Sequence, residues 1–236
     1  MSDSDKGDFY FGISDKKIHI CFFEKGNSQY KETINFEIPG NLNNDLNFKI
    51  ILNLLKKNIR NIERNLGFFL NSGNISIQSQ TYQNILFSVK NIFDEKKLDN
   101  KVITDLVQSG IQNFYIYEQK LSIIHVVINK YIIDDKIYNF RPNDINLKKI
   151  VLEIELICLD KNLVTKINSL FNECKIDVSK IISYDYSKRF LKNNSDETMC
   201  LSAYKVLNNF NQSEVYLDNN IKKKQGIFNK IFHFFD

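Results

Sequence analysis

The chain has 236 residues, 43% of them hydrophobic, which is enough to build the core of one or two folded domains. Its net charge of +4 does not indicate a nucleic-acid-binding surface. The last fifteen residues hold four lysines and one acid, and the rest of the chain is nearly neutral, with 28 basic and 27 acidic residues. The four cysteines are scattered without a CxxC pair, so neither a zinc motif nor a disulfide framework is indicated.

The first part of the chain predicts an antiparallel sheet followed by a long helix. Its amino terminus is acidic where a signal peptide is basic, and no later window is apolar enough to span a membrane, so we expect the chain to be cytosolic except for its tail. The scattered cysteines fit a reducing cytoplasm. Apolar residues at helical spacing predict a helix from Asp45 to Leu66, which Gly67 ends. Strands are predicted at 9–13, 17–24 and 30–38 before this helix, and at 68–70, 75–78 and 85–89 after it.

The second part predicts alternating helices and strands, so the fold class is α+β. Asp99 is a plausible N-cap for a helix whose end is weakened by Gly110. A long strand from Leu147 to Leu159 alternates apolar residues with glutamates. The other predicted elements are strands at 121–128, 131–133 and 178–184, helices at 160–171 and 197–207, and an Asn-rich linker from 208.

Residues that could carry chemistry are few, and we expect no enzyme activity, no cofactor and no metal. His19 and His125 lie within predicted strands, where a histidine is more often a hydrogen-bonded structural residue than a catalyst. Asp134 and Asp135 could hold a cation, but an acidic pair followed by a lysine is more often a solvated turn. No GxxxxGK[ST] loop is present, and the eight glycines do not cluster.

The segment Lys222–Asp236 has the clearest pattern of the chain and predicts an amphipathic membrane-binding helix. Its apolar residues fall within an arc of roughly 160° at helical spacing, while Asn229, Lys230 and His233 occupy the other side. It is shorter than the about 20 apolar residues that span a bilayer, so it would lie on the surface of an anionic membrane. The alternative is a terminal helix packed on the protein's own core. The predicted lipid-binding residues are Lys222, Lys223, Lys224, Ile227, Phe228, Lys230, Ile231, Phe232, Phe234 and Phe235.

Three stretches resemble the FtsA family of bacterial cell-division proteins, which belong to the actin-like superfamily. The segment 123–135, IIHVVINKYIIDD, is similar to the family's I-L-H-V-I-P-Q-E-Y-I-I-D-D. The strand that ends in Glu153-Ile154-Glu155-Leu156-Ile157 resembles the family's L-E-V-E-V-H-I-I, and the turn 174–178 stands in place of its A-G-L-E-V-D. The family also ends in a linker and a short amphipathic membrane helix, as this chain is predicted to do.

The resemblance implies a partial actin-like, FtsA-type fold. It consists of a first actin-like subdomain (1–98, completed by 176–207), a small inserted α/β subdomain (99–175), a linker (208–221) and the membrane helix (222–236). The family's ATP-phosphate loop is represented only by a glycine and a hydroxyl, at Gly12 and Ser14. The family's second half, with a further phosphate loop and the surface for the FtsZ C-terminal peptide, has no counterpart after residue 190.

The resemblance therefore implies an adaptor of the division machinery without ATP hydrolysis, bound peripherally to the inner face of the cytoplasmic membrane. Its expected partners are anionic lipids, division proteins and other copies of the chain, with FtsZ left open and nucleic acid not expected. Two alternatives stay open. One is an adaptor like the PilM proteins of pilus assembly, which bind the cytoplasmic tail of an inner-membrane protein. The other is an actin-like ATP-binding protein completed by a partner chain.

Overall fold

The computed structural model describes residues 7–14, 17–24, 30–37, 45–191, 199–211 and 213–215. These residues form two compact units. The first comprises the described residues up to Thr81 and from Lys161 to Phe210, and the second comprises Tyr82–Asp160 and the described residues from Asn211. Each unit contains one mixed or antiparallel sheet with its own apolar core, which confirms the α+β class.

The first unit is built on a five-stranded sheet with helices on both faces. Its elements are β1 (Gly7–Ile13), β2 (Lys17–Glu24), β3 (Tyr30–Glu37), α1 (Asp45–Leu66), β4 (Ser72–Ile77), α3 (Lys161–Glu173), β9 (Asp177–Ser183), α4 (Tyr184–Ser187) and α5 (Met199–Lys205). The strand order is β3-β2-β1-β4-β9, in which β1, β2 and β3 pair antiparallel while β1, β4 and β9 pair parallel. The predicted antiparallel meander is therefore confirmed.

The two faces of this sheet differ because side chains alternate along β1. Phe11 points to one face, where its ring meets Phe171 of α3 at a centroid distance of 4.8 Å, and α1 packs against α3. Tyr10 points to the other face, where it shares a core cluster with Cys200 and Ala203 of α5. Because both faces are covered, residues 9–13 of β1 are all buried.

The second unit is an antiparallel sheet covered on one face by a helix. Its elements are β5 (Gln83–Lys97), α2 (Asn100–Tyr117), β6 (Leu121–Ile133), β7 (Lys136–Tyr138), β8 (Asn146–Asp160) and β10 (Glu214–Val215). The order is β10-β6-β8-β5, with β7 also paired to β6. The inward residues of β6 and β8 form the core with Val102, Ile103 and Leu106 of α2.

Three predicted bounds are corrected by the structure. Residues 68–70 are not a strand, since the Leu70 backbone N–H instead donates to a carboxylate oxygen of Glu63 at 2.9 Å. β5 continues to Lys97, well beyond the predicted end at 89, because its polar second half pairs with β8. α2 continues to Tyr117 through Gly110, whose missing Cβ would lie 2.5 Å from the Phe87 ring, so glycine here permits close packing of helix on sheet.

The resemblance implies subdomain boundaries after residues 98 and 175 of this chain, and these boundaries stay a prediction. In the structure, β5 pairs with β8 in the second unit, and α3 contacts α1 and β9 in the first. Within the segment predicted as a linker, Glu214–Val215 form β10 and pair with β6. Among the described residues, no helix is both long and apolar enough to cross a membrane.

Candidate functional site

The predicted membrane-binding residues, Lys222 to Phe235, lie outside the described residues, so the amphipathic helix stays a prediction. The described chain ends at Val215, seven residues before Lys222. The structure therefore shows how the last described residues before this segment pack on the second unit. We describe this contact as the candidate site.

The contact consists of a short strand and a buried side-chain pair. β10 pairs antiparallel with β6, with Glu214 opposite Val127 and Val215 opposite Val126. The Ile128 backbone N–H also donates to the Ser213 carbonyl oxygen at 2.9 Å. The Nδ1 atom of His125 lies 2.6 Å from the Oε1 atom of Glu214. Only 3% of the His125 side-chain surface and 4% of the Glu214 side-chain surface are exposed to solvent.

Burying a carboxyl group without a hydrogen-bonding partner costs free energy. The contact with His125 therefore favours this position of β10 over others. The Glu214 carboxyl group contacts the Nδ1 atom of His125 while Ser213–Val215 lie along β6. The prediction that His125 is a hydrogen-bonded structural residue agrees with this geometry. Sequence reasoning missed Glu214, because 89 positions separate the two residues and no local pattern marks a glutamate in an Asn-rich segment.

The β1–β2 hairpin, which stands where the resemblance places an ATP-phosphate loop, is occupied by the protein's own groups. The Ser14 hydroxyl donates to the Lys17 carbonyl oxygen at 3.1 Å and accepts from the Lys17 N–H at 3.0 Å, so it closes the turn. A Cβ added to Gly12 would lie 2.8 Å from the Cβ of Met199. The face of the sheet at Gly12 is therefore covered by α5.

The thiol of Cys200 holds α5 in this place. It donates to the Tyr10 carbonyl oxygen at 3.4 Å, and burial raises its pKa well above the ordinary value. Burial also raises the pKa of Cys158 to about 12. Because thiolates are the reactive and metal-binding form, these buried thiols are suited to packing rather than to chemistry. The described cysteines form no disulfide, and the described residues contain no cluster of metal-ligating side chains.

Asp134 and Asp135 form the turn between β6 and β7, both with positive φ angles, of 46° and 66°. The Asp134 carboxylate accepts backbone hydrogen bonds from Lys148 at 3.1 Å and Lys149 at 2.8 Å. Asp135 pairs with the Lys149 ammonium group, whose hydrogen bond and charge lower the pKa of this carboxyl. The carboxylate oxygens that would have to bind a cation thus accept hydrogen bonds from backbone N–H groups and a lysine ammonium group. This favours the solvated turn over a cation site.

Comparison with known proteins finds similarity at the level of solved structures alone. No family model and no curated protein matches the chain. The PilM–PilN complex of type IV pilus biogenesis matches 79% of this chain at 7% identity, with a TM-score of 0.49. The cytoplasmic domain of EpsL, an inner-membrane component of the type II secretion system of Vibrio cholerae, matches 76% at 8% identity, with a TM-score of 0.35.

A third solved structure is a Bacteroides thetaiotaomicron protein with an actin-like ATPase fold and unknown function. It matches 79% of this chain at 14% identity, with a TM-score of 0.31. This chain spans 50% of the length of the first of the three matched chains and 56% of the other two. Because each TM-score is below 0.5, the likeness assigns neither a family nor a function.

Proposed function

We propose that this chain is a peripheral membrane adaptor of the bacterial cell-division machinery. Residues 222–236 attach it to the inner face of the cytoplasmic membrane, and its folded units bind protein partners. The observation that carries the proposal is the tail sequence KKKQGIFNKIFHFFD, in which a triple lysine precedes a Phe-rich apolar arc. Each lysine near an anionic surface contributes about 1 kcal/mol, so attachment is reversible and is strengthened by self-association or by a membrane-bound partner.

The assignment to cell division rests on the resemblance to the FtsA family. The order of the first sheet, with three antiparallel strands followed by two parallel ones, is consistent with the first actin-like subdomain that the resemblance implies. The segment 123–135 forms β6 and its turn, and the second resembling strand forms β8 beside it. The proposed protein partners are division proteins, with FtsZ an open candidate.

The proposed adaptor does not turn over ATP, and two contacts in the first unit support this. The Ser14 hydroxyl is used within its own turn, and Met199 covers the sheet at Gly12. We expect a dissociation constant for MgATP above about 1 mM, corresponding to less than about 4 kcal/mol of binding free energy. Equilibrium dialysis against labelled MgATP measures it. A micromolar constant would instead support the ATP-binding alternative.

The adaptor proposal is tested by the dependence of vesicle binding on lipid charge. We expect the purified chain to sediment with vesicles of phosphatidylcholine and phosphatidylglycerol, and to be released when the ionic strength rises from 0.1 M to about 1 M, where the Debye length falls to about 3 Å. Vesicles of phosphatidylcholine alone should bind it more weakly. If the chain binds neither kind of vesicle, the proposal is contradicted. The PilM-like alternative is then favoured, because PilM-like proteins normally lack a lipid-binding helix.

A further inference from the structure

The strand β5 forms one edge of the sheet of the second unit. It has 15 residues and stands at the end of the order β10-β6-β8-β5, so among the described residues only β8 pairs with it. From Gln83 to Ile92 this pairing continues without a bulge. The Ile92 backbone N–H donates to the side-chain oxygen of Asn91 at 2.9 Å, a local bond that an added strand can replace. The outer edge of β5 is therefore long and regular enough to pair with a further strand.

Apolar side chains lie on both faces of this edge. On the face covered by α2, the apolar residues of β5 are only partly buried, whereas Ile154 of the neighbouring β8 is 1% exposed. On the opposite face, Leu86 and Ile92 are 71% and 64% exposed. Between Gln83 and Phe93 the strand has no proline and a single charged residue, Lys90, although proline and charges are what usually prevent edge strands from pairing. An added strand would bury apolar surface on both faces.

We propose that β5 pairs antiparallel with β5 of a second copy of this chain, across a two-fold symmetry axis at Val89. The sequence of β5 is complementary to itself in this register. Leu86 lies opposite Ile92 of the second copy, so the two exposed apolar residues meet, and Ser88 lies opposite Lys90. The contact uses the same surface of both copies and therefore closes as a dimer.

Neighbouring registers match less well. A two-fold axis pairs residues that lie on the same face of the sheet, so it can move only to the next residue, Ser88 or Lys90. With the axis at Lys90, the two lysines would face each other and Leu86 would face Asp94. With the axis at Ser88, Leu86 would face Lys90. Of the three registers, the one at Val89 places apolar residues opposite each other and no two like charges together.

We expect the contact to be weak in solution, because Ile85–Phe93 is shorter than the about 20–30 residues that each side of a standard stable interface contributes. A dissociation constant on the order of 0.1 mM is expected. The biological role of the contact rests on the proposed membrane adaptor, in which chains held on one surface meet at a raised effective concentration. The contact itself requires no lipid, so it can be measured on the full chain in solution.

Two single variants and their combination test the contact by sedimentation equilibrium. In β8, Glu155 lies beside Leu86 and Lys149 lies beside Ile92, so Leu86→Lys and Ile92→Glu each place the new charge next to an opposite one within the same sheet. We expect each single variant to raise the dissociation constant at least about tenfold, because a charge then faces an apolar residue of the second copy. The double variant places opposite charges across the axis and should return to within about threefold of the natural chain.

The matched control is Ile116→Lys, which makes the same change of charge as Leu86→Lys at a residue of α2 that is 65% exposed. It should leave the dissociation constant within about twofold of the natural value. Amide hydrogen exchange of the natural chain gives a readout that needs no variant. Outward amides of β5 should gain protection as the concentration rises from about 10 µM to 1 mM, while those between β6 and β8 should not change.

Three results would overturn the proposal. The first is a natural chain that stays monomeric at about 1 mM, where the expected constant would make it mostly dimeric. The second is a dimer that neither single variant weakens, or that Ile116→Lys weakens equally. The third is a double variant that does not recover, since the strands would then pair in another way. None of these results depends on vesicle binding, so the strand contact and the proposed membrane attachment can fail separately.

Discussion

Replacing Ile231 with Asp is expected to weaken binding to anionic vesicles by at least about tenfold, because burial of one isoleucine side chain is worth about 1.5–3 kcal/mol. At helical spacing Ile231 lies close to the middle of the apolar arc of the tail, so the substituted carboxylate would face the acyl chains. A vesicle titration of the purified variant, followed by sedimentation, measures the change.

The matched control is Asn229→Asp, which makes the same change of charge on the polar side of the predicted helix. This variant should lose only the electrostatic contribution of about one charge, or about 1 kcal/mol, and remain bound at low ionic strength. Equal loss in Ile231→Asp and Asn229→Asp would mean that charge alone binds the tail. The predicted apolar arc would then have no role.

Replacing Phe11 with Ala is expected to destabilise the first unit by about 3–5 kcal/mol, the usual cost of removing a buried phenylalanine side chain. Phe11 is completely buried at the centre of β1, where its ring meets Phe171 at 4.8 Å. It also fills the space beside Gly73, where an added Cβ would lie 2.6 Å from the ring. The void left by alanine would therefore lie between β1, β4 and α3.

Phe69→Ala is the control, because Phe69 is 70% exposed and its removal should change stability by at most about 0.5 kcal/mol. Native-state hydrogen exchange separates the two units. Amides of β1 and β4 should lose protection in Phe11→Ala, whereas those of β6 and β8 should lose little. If both units lose protection equally, they unfold as one cooperative body, and the division into two cores is wrong as a description of stability.

The elements with strong local signals were predicted from the sequence. The helical spacing of apolar residues from Asp45 to Leu66 gave both bounds of α1 correctly. Asp99 was predicted as an N-cap, and its side chain accepts the Val102 N–H at 2.8 Å. In these segments local propensity and tertiary packing favour the same conformation, so one sequence is sufficient to identify them.

The elements that depend on a distant partner were not predicted. The second half of β5 is polar, and it is a strand because Lys96 and Lys97 pair with Leu147 and Asn146 of β8. Gly110 weakens helix propensity in isolation, and α2 passes through it because the glycine allows contact with Phe87. Tertiary packing decides the structure at both positions, and it is not visible in a single sequence.

The same distinction between local and distant signals applies to the candidate site. The amphipathic pattern of Lys222–Asp236 is local, so the sequence predicts lipid binding there, although these residues lie outside the described ones. His125 pairs with Glu214 across 89 positions, and only the structure brings them together. Lipid binding by the tail thus stays a prediction from the sequence, and the structure shows where the last described strand pairs with β6.

The most direct test of membrane attachment compares the full chain with a chain ending at residue 221 in one sedimentation experiment. Circular dichroism should verify that the shortened chain is folded, since it retains the last described strand, Glu214–Val215. We predict that the full chain sediments with phosphatidylglycerol-containing vesicles and that the shortened chain stays in the supernatant. Equal sedimentation of both chains would contradict the account, because the membrane would then be bound by another surface.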